Sequence, residues 1–206
     1  IESSKEFPKV ITEIKGLRGL NVTIPYKEEI IPYLDKLSKT AEKIGAVNCI
    51  TISKKKKLKG YNTDYHGFKK SIKPLLKDHH KKALILGTGG ASKAIAYALR
   101  SLKIEYDFVS RTADEFQYKY EELDASIFEE YTVIINTTPV GTHPNVDDCP
   151  NLDYSLFTKK HIAYDLIYNP EETAFLRKAK AQSAVTKNGY EMLVLQAEKA
   201  WKIWNE

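Results

Sequence analysis

Cysteine is scarce in this chain. Only Cys49 and Cys149 occur among 206 residues, far apart and in no C-x-x-C pair. Their scarcity predicts a reduced, cytoplasmic protein with neither disulfide nor bound metal. Long apolar runs are missing too, which excludes a membrane-spanning helix, and the N-terminus has no signal-peptide pattern. A strong excess of either charge is also absent: 32 basic residues against 27 acidic ones leave +5. That surplus is too mild to argue for nucleic acid and suits small anionic ligands. Neither internal repeats nor low-complexity segments appear beyond the lysine run 54–57. What remains is ordinary for a soluble globular protein, 42% hydrophobic and 29% charged. The length allows one large domain or two small ones.

Two patterns divide the chain. Ser3 with Glu6 resembles a capping box, and Phe7, Val10, Ile11 and Ile14 recur at helical spacing. In "GLNVTIPYK", Leu20, Val22 and Ile24 alternate with Asn21 and Thr23, which predicts a strand with one buried face. Pro25 ends it, and Lys27 follows just beyond. A helix through Ile30, Ile31, Leu34 and Leu37 is expected next, then a short one ending at Gly45. "AVNCITI" and "LKGYNTD" read as strands of a hairpin whose solvated tip is the lysine run. A helix from His66 to Leu76 follows, and "KDHHKK" reads as a linker.

From Lys82 the pattern becomes strand, glycine loop, helix, strand. "ALILG", "YDFVS", "TVIINTT" and "IAYDLIY" are compact apolar strands. Helices at Ser92–Leu102 and Glu171–Lys180 lie between some of them, which indicates a parallel sheet covered on both faces. A last helix from Tyr190 through Trp204 is long enough to pack back onto the first unit. The expected class is therefore α/β with two domains. An N-terminal α/β substrate domain takes 1–65 plus 190–206, and a Rossmann-type nucleotide-binding domain takes 66–189.

"ALILGTGGASKAIAYAL" is the most specific local signal. Gly87, Gly89 and Ser92 stand at the G-x-G-x-x-G/A positions, after a strand and opening a helix. Gly87 permits the tight turn, Gly89 lets the backbone approach a pyrophosphate, and Ser92 allows close helix–strand packing. Thr88, Gly90 and Ala91 complete the loop. The next strand ends in Ser110, Arg111 and Thr112 rather than an acidic residue. A guanidinium pairs with a 2′-phosphate, so NADP is favoured over NAD. Asp107 starts that strand and is expected far from the ribose. "INTTPVGT", with Thr138, ends a strand expected to be central, so its loop should line the cofactor crevice.

In the first unit, polar groups close three apolar strands: Thr23 with Lys27, Asn48, and Asp64. Each has a bland reading; Asn48 suits a turn and Asp64 a helix N-cap. Together they form a polar focus facing the nucleotide unit.

The ordered blocks "GLNVTIPYK", "IGAVNCI", "GYNTDYHGF", "LGTGGASKAIAYAL", "SRT", "INTTPVGT", "YDLIYNPEET" and "NGYEMLVLQA" resemble the motifs of shikimate dehydrogenases across essentially the whole chain. The resemblance implies reversible reduction of 3-dehydroshikimate to shikimate with NADPH, a small-molecule enzyme without nucleic acid or membrane partners, monomeric or homodimeric. It implies a substrate domain, a Rossmann-type domain, and a terminal helix returning to the first. Carried over, Lys27 and Asp64 are the catalytic pair. Thr23, Lys27, Asn48, Asp64, Tyr168 and Gln196 match substrate-binding positions. Gly87, Thr88, Gly89, Gly90, Ala91, Ser110, Arg111, Thr112 and Thr138 match contacts along the cofactor. Leu166, Gly189 and Met192 match positions beside the nicotinamide.

Departures accompany the match. The family's opening βα segment, with an S-x-S pair for the substrate carboxylate, has no counterpart here, because Ser3 and Ser4 are adjacent. A truncated chain is one expectation; a true loss would remove a strand and a substrate anchor. Thr142 stands where methionine is common, and no second arginine follows Arg111. Rival readings are a quinate/shikimate dehydrogenase using NAD, and a non-catalytic sensor on the same scaffold. A methylene-tetrahydrofolate dehydrogenase gains no support from "GYNTD" or "EMLVLQ".

Overall fold

The computed structural model describes residues 2–206; Ile1, first residue of the expected first domain, lies outside the described residues. Ser3 starts the chain's first turn by accepting the Lys5 amide, and Ser4–Glu6 leads as 3-10 helix into α1 (Phe7–Glu13). The reciprocal capping box does not form, because the Glu6 carboxylate accepts from Glu2 N instead. A small mixed sheet follows, with β1 (Gly19–Asn21), β2 (Lys36–Leu37), β3 (Cys49–Ile52) and β4 (Leu58–Tyr61) in the order β1–β3–β4–β2. Helix α2 (Lys39–Ile44) is capped at its start by Ser38 and ends at Gly45. The lysine run forms the β3–β4 hairpin tip, closed by Ser53 N–H donating to Lys57 O at 3.0 Å.

Two expectations fail here. The opening strand is shorter than its alternation suggests, since the chain turns at Thr23–Tyr26 and Ile24 is 69% exposed. Nor does a helix form over 30–37. Pro32 lacks the N–H a helix interior needs, and only one 3-10 turn, Ile31–Tyr33, survives. The Asp35 carboxylate accepts from Leu58 N and Lys57 Nζ, drawing the following residues into β2.

The second sheet is all parallel. Its strands are β5 (Lys82–Leu86), β6 (Glu105–Val109), β7 (Gln117–Tyr118), β8 (Val133–Asn136), β9 (Ile162–Asp165) and β10 (Val185–Lys187). Their order, β10–β9–β8–β5–β6–β7, is the doubly wound dinucleotide arrangement, with the chain reversing direction between β5 and β8. Strand β8 is central, as expected. The strands read as continuous apolar runs because helices cover both faces: α3 (Asp64–Ile72), α4 (Gly90–Ser101), α5 (Ala125–Glu130), α6 (Ala174–Ala181) and α7 (Tyr190–Asn205). Leu84, Ile85 and Leu86 are fully buried. Each such side chain contributes about 1.5–3 kcal/mol, against roughly 0–1 for an exposed ion pair, so burial carries the stability.

Helix α3 packs against both α4 and α7. The terminal helix reaches the first sheet, where Trp204 Nε1 donates to Ile50 O at 3.0 Å. Helix α3 begins earlier and ends sooner than the expected 66–76, and α6 begins at Ala174 under a Thr173 cap.

"KDHHKK" is not a loose linker. His80 is 5% exposed, accepts from Lys77 N through Nδ1, and meets Lys160 O through Nε2. Burial holds the His80 and His161 imidazoles below their ordinary value. Each histidine therefore binds fewer protons folded than unfolded. Its stabilising contribution is complete above the unfolded value of about 6.5 and is lost as pH falls toward the folded one. Asp165, raised to about 6 by burial, acts in the opposite sense. The comparison that isolates the histidine is wild type against His80→Asn. Acidification from pH 7.5 to 5.5 should lower the variant's melting temperature less than the wild type's. Parallel melting curves across that range would contradict the assignment.

Candidate active site

Lys27 and Asp64 meet although they belong to different elements. Lys27 follows β1 in a turn held by Val47 N–H donating to Lys27 O at 2.7 Å. Asp64 is the first residue of α3, and the preceding Thr63 makes no side-chain cap. The N-cap reading of Asp64 is thus wrong. Its carboxylate turns away from the helix amides and accepts from Lys27 Nζ at 2.7 Å through Oδ2. The pair is nearly enclosed, with the side chains 14% and 8% exposed.

Asn48, just before β3, locks the carboxylate. Its Nδ2 donates to Asp64 Oδ1 at 2.8 Å, and its Oδ1 accepts from Thr63 N at 2.6 Å. Thr63 Oγ1 and Gln196 Oε1, from α7, also lie within reach of Asn48 Nδ2 at 2.9 and 3.2 Å. Three acceptors compete for two amide hydrogens, so a fourth polar group entering here finds exchangeable partners. Gln196 is held in turn by donating to Leu193 O. Four separate segments converge on this polar knot, and no buried side-chain N or O among the described residues lacks a partner.

The nucleotide side is an edge rather than a knot. Parallel register aligns Leu86 with Val109 and with Asn136, and Asn136 with Asp165. The residues just past those ends, Gly87, Ser110, Thr137 and Leu166, therefore stand side by side along one rim. Gly87 has φ +100, and a Cβ there would lie 2.9 Å from Thr138 Cγ2. Thr138 is fixed by donating to Asn136 Oδ1 at 2.6 Å. Arg111 is exposed on the loop after β6, and the Ser110 hydroxyl accepts from Thr112 N. Asp107, mid-strand in β6, is occupied by Tyr131 O–H at 2.5 Å.

Knot and rim face each other. A Cβ at Gly90, the first residue of α4, would stand 3.4 Å from Lys27 Cβ and 3.6 Å from Glu28 Oε1. The opening of α4 thus abuts the turn that carries the lysine. A dinucleotide fits these residues. Gly89 has open space where a Cβ would be, and α4 starts with no side-chain cap on its amides.

Comparison with known proteins identifies the family. Residues 1–50 match the family described as shikimate dehydrogenase substrate binding domain. A shikimate dehydrogenase (NADP(+)) of Caldanaerobacter subterraneus subsp. tengcongensis is 41% identical, covering 92% of this chain and 72% of the relative. The chain belongs to the shikimate dehydrogenase family. Among solved family structures, the Aquifex aeolicus shikimate dehydrogenase superposes with a TM-score of 0.87 at 38% identity, over 98% of this chain and 78% of that one. The Thermus thermophilus shikimate 5-dehydrogenase in complex with NADP(H) and shikimate does so at 0.84 and 34%, over 97% and 78%.

Not every residue expected from the shikimate dehydrogenase resemblance joins the knot. Thr23 is exposed, and its carbonyl accepts the Tyr26 amide. Tyr168 is 49% exposed on the loop after β9. Met192 is buried against the core beneath the rim, and Gly189 lies against Leu166. Sequence reasoning missed the support beneath this loop. Asp165, fully buried, accepts from Asn136 Nδ2, Ile167 N and Thr173 Oγ1, tying the ends of β8 and β9 to α6. Its signal was an acidic residue inside an apolar strand, "IAYDLIY". Thr63 was passed over beside the more obvious Asp64.

Proposed function

We propose that this chain is an NADP-dependent shikimate dehydrogenase, reversibly reducing 3-dehydroshikimate to shikimate in the cytoplasm. The observation that carries the reading is the nearly enclosed Lys27–Asp64 pair, 2.7 Å apart, whose lysine has its Cβ beside Gly90 at the start of α4. The proposed division assigns substrate to 1–65 plus 190–206 and cofactor to 66–189.

Bound NADPH supplies hydride to the ketone carbon. The chain's part is to place and charge-match the ketone oxygen. Lys27 Nζ donates a hydrogen bond to that oxygen and gives up a proton as alkoxide charge develops. Asp64 orients the ammonium and balances its charge, while its other oxygen, held by Asn48, is positioned to accept a substrate hydroxyl. In the oxidation direction a neutral Lys27 takes the hydroxyl proton. Asn48, Gln196, Thr23 and Tyr168 bind the remaining substrate oxygens in this proposal. Gly87, Thr88, Gly89, Gly90 and Ala91 hold the pyrophosphate, with Thr138 beside them. Ser110, Arg111 and Thr112 hold the 2′-phosphate, and Leu166, Gly189 and Met192 flank the nicotinamide.

Shikimate-dependent reduction of NADP+ tests the whole reading, and no turnover with either NADP+ or NAD+ would defeat it. Cofactor choice has its own test. Arg111→Ala should raise KM for NADPH far more than KM for NADH, because only the former has a 2′-phosphate for the guanidinium. Equal changes would favour the quinate/shikimate dehydrogenase alternative.

A further inference from the structure

Glu28 stands where an anion is expected. Its Oε1 lies 3.6 Å from the Cβ position of Gly90, at the uncapped start of α4, and its Oε2 pairs with Lys93 Nζ at 2.5 Å. Lys93 belongs to the same first turns of α4. A carboxylate in this place is favoured by the partial positive charge of the helix N-terminus and by the lysine together. Those two features would equally attract a pyrophosphate.

We propose that Glu28 is an intramolecular competitor for the pyrophosphate site, bound to the opening of α4 through Lys93 and released when the cofactor enters. The inference rests on the cofactor reading above. The glutamate side chain can leave while its backbone stays. Val47 N holds Lys27 O at 2.7 Å, and Ile31 N holds Glu28 O at 3.2 Å, so displacement needs only side-chain rotation. The pair is also weak enough to exchange, because Lys93 and Glu28 side chains are 40% and 43% exposed. A buried pair would resist release; this one lowers affinity without blocking it.

Binding of NADP+ to the intact chain, followed by titration calorimetry, tests this without relying on turnover. Glu28→Gln should bind NADP+ about two- to tenfold more tightly than wild type, the scale of a weak ion pair plus a helix-terminus interaction. Adenosine 2′-monophosphate, which has no pyrophosphate, should bind both forms equally. In a Lys93→Gln background the gain from Glu28→Gln should shrink, because the glutamate has already lost its anchor. A gain that stays or grows there would mean plain charge repulsion and overturn the competitor. So would unchanged or weaker NADP+ binding by Glu28→Gln with a wild-type melting temperature. If the wild-type chain binds no NADP+ at all, the cofactor reading fails first, and this inference with it.

Discussion

Replacing Lys27 by alanine should lower kcat by about two orders of magnitude or more, the usual scale for losing an acid–base group, while NADPH still binds. The two halves of that outcome follow from separate parts of the fold. The proposed cofactor contacts run along the rim of the parallel sheet, whereas the ammonium comes from the turn after β1. Alanine also strands the Asp64 carboxylate, 8% exposed, with Asn48 as its remaining side-chain donor. Breaking one partner of such a pair costs about 3–5 kcal/mol when both are buried. Lys27→Met keeps the stem and removes the charge, so it separates lost chemistry from lost packing. Both variants should show the fall in kcat with NADPH affinity within a few-fold of wild type. Wild-type turnover in a folded Lys27→Met protein would end the assignment.

Gly189→Ala should be nearly as damaging, for a different reason. A Cβ there would sit 2.0 Å from Leu166 O and 2.6 Å from its carbonyl carbon. Those are backbone atoms of the loop after β9, also bound by Gly189 N–H donating to Ile167 O at 3.0 Å. No side-chain rotation relieves the clash, so the start of α7 must move off the loop. Overpacking of this kind costs about 1–3 kcal/mol, and each kcal/mol lowers the melting temperature by about 2–4 °C at this chain length. Because Leu166 and Gly189 flank the proposed nicotinamide position, kcat/KM should fall by at least about tenfold while the protein stays folded at 25 °C. Unchanged melting and unchanged kcat/KM would show that the loop is not held as described.

The parallel half was legible because its signals are local. Strands buried on both faces read as unbroken apolar runs, and the G-x-G-x-x-S turn sits between one such strand and its helix. The first half misled where tertiary contacts overrode periodicity. Residues 30–37 carry helical spacing, yet Pro32 and the Asp35–Leu58 bond draw them into a sheet. Asp64 has the look of a helix cap, but Lys27 and Asn48 compete successfully for its carboxylate. His80 sits in a polar stretch and is still buried, because the carbonyl of Lys160, distant in sequence, satisfies it.

By itself the order of residues determined the α/β class, the crossover to a parallel sheet at Lys82, the glycine turn and the family. These depend on period, turn chemistry and spacing, which a chain carries within short windows. A shared polar focus of Lys27, Asn48 and Asp64 was expected. Only the folded arrangement decided that Asp64 pairs directly with Lys27, that Thr63 joins Asn48 while Thr23 stays outside, and that Glu28 reaches Lys93 of α4. Such meetings depend on how two sheets and a returning helix pack, and nothing in a single segment encodes the distance between two side chains far apart along the chain.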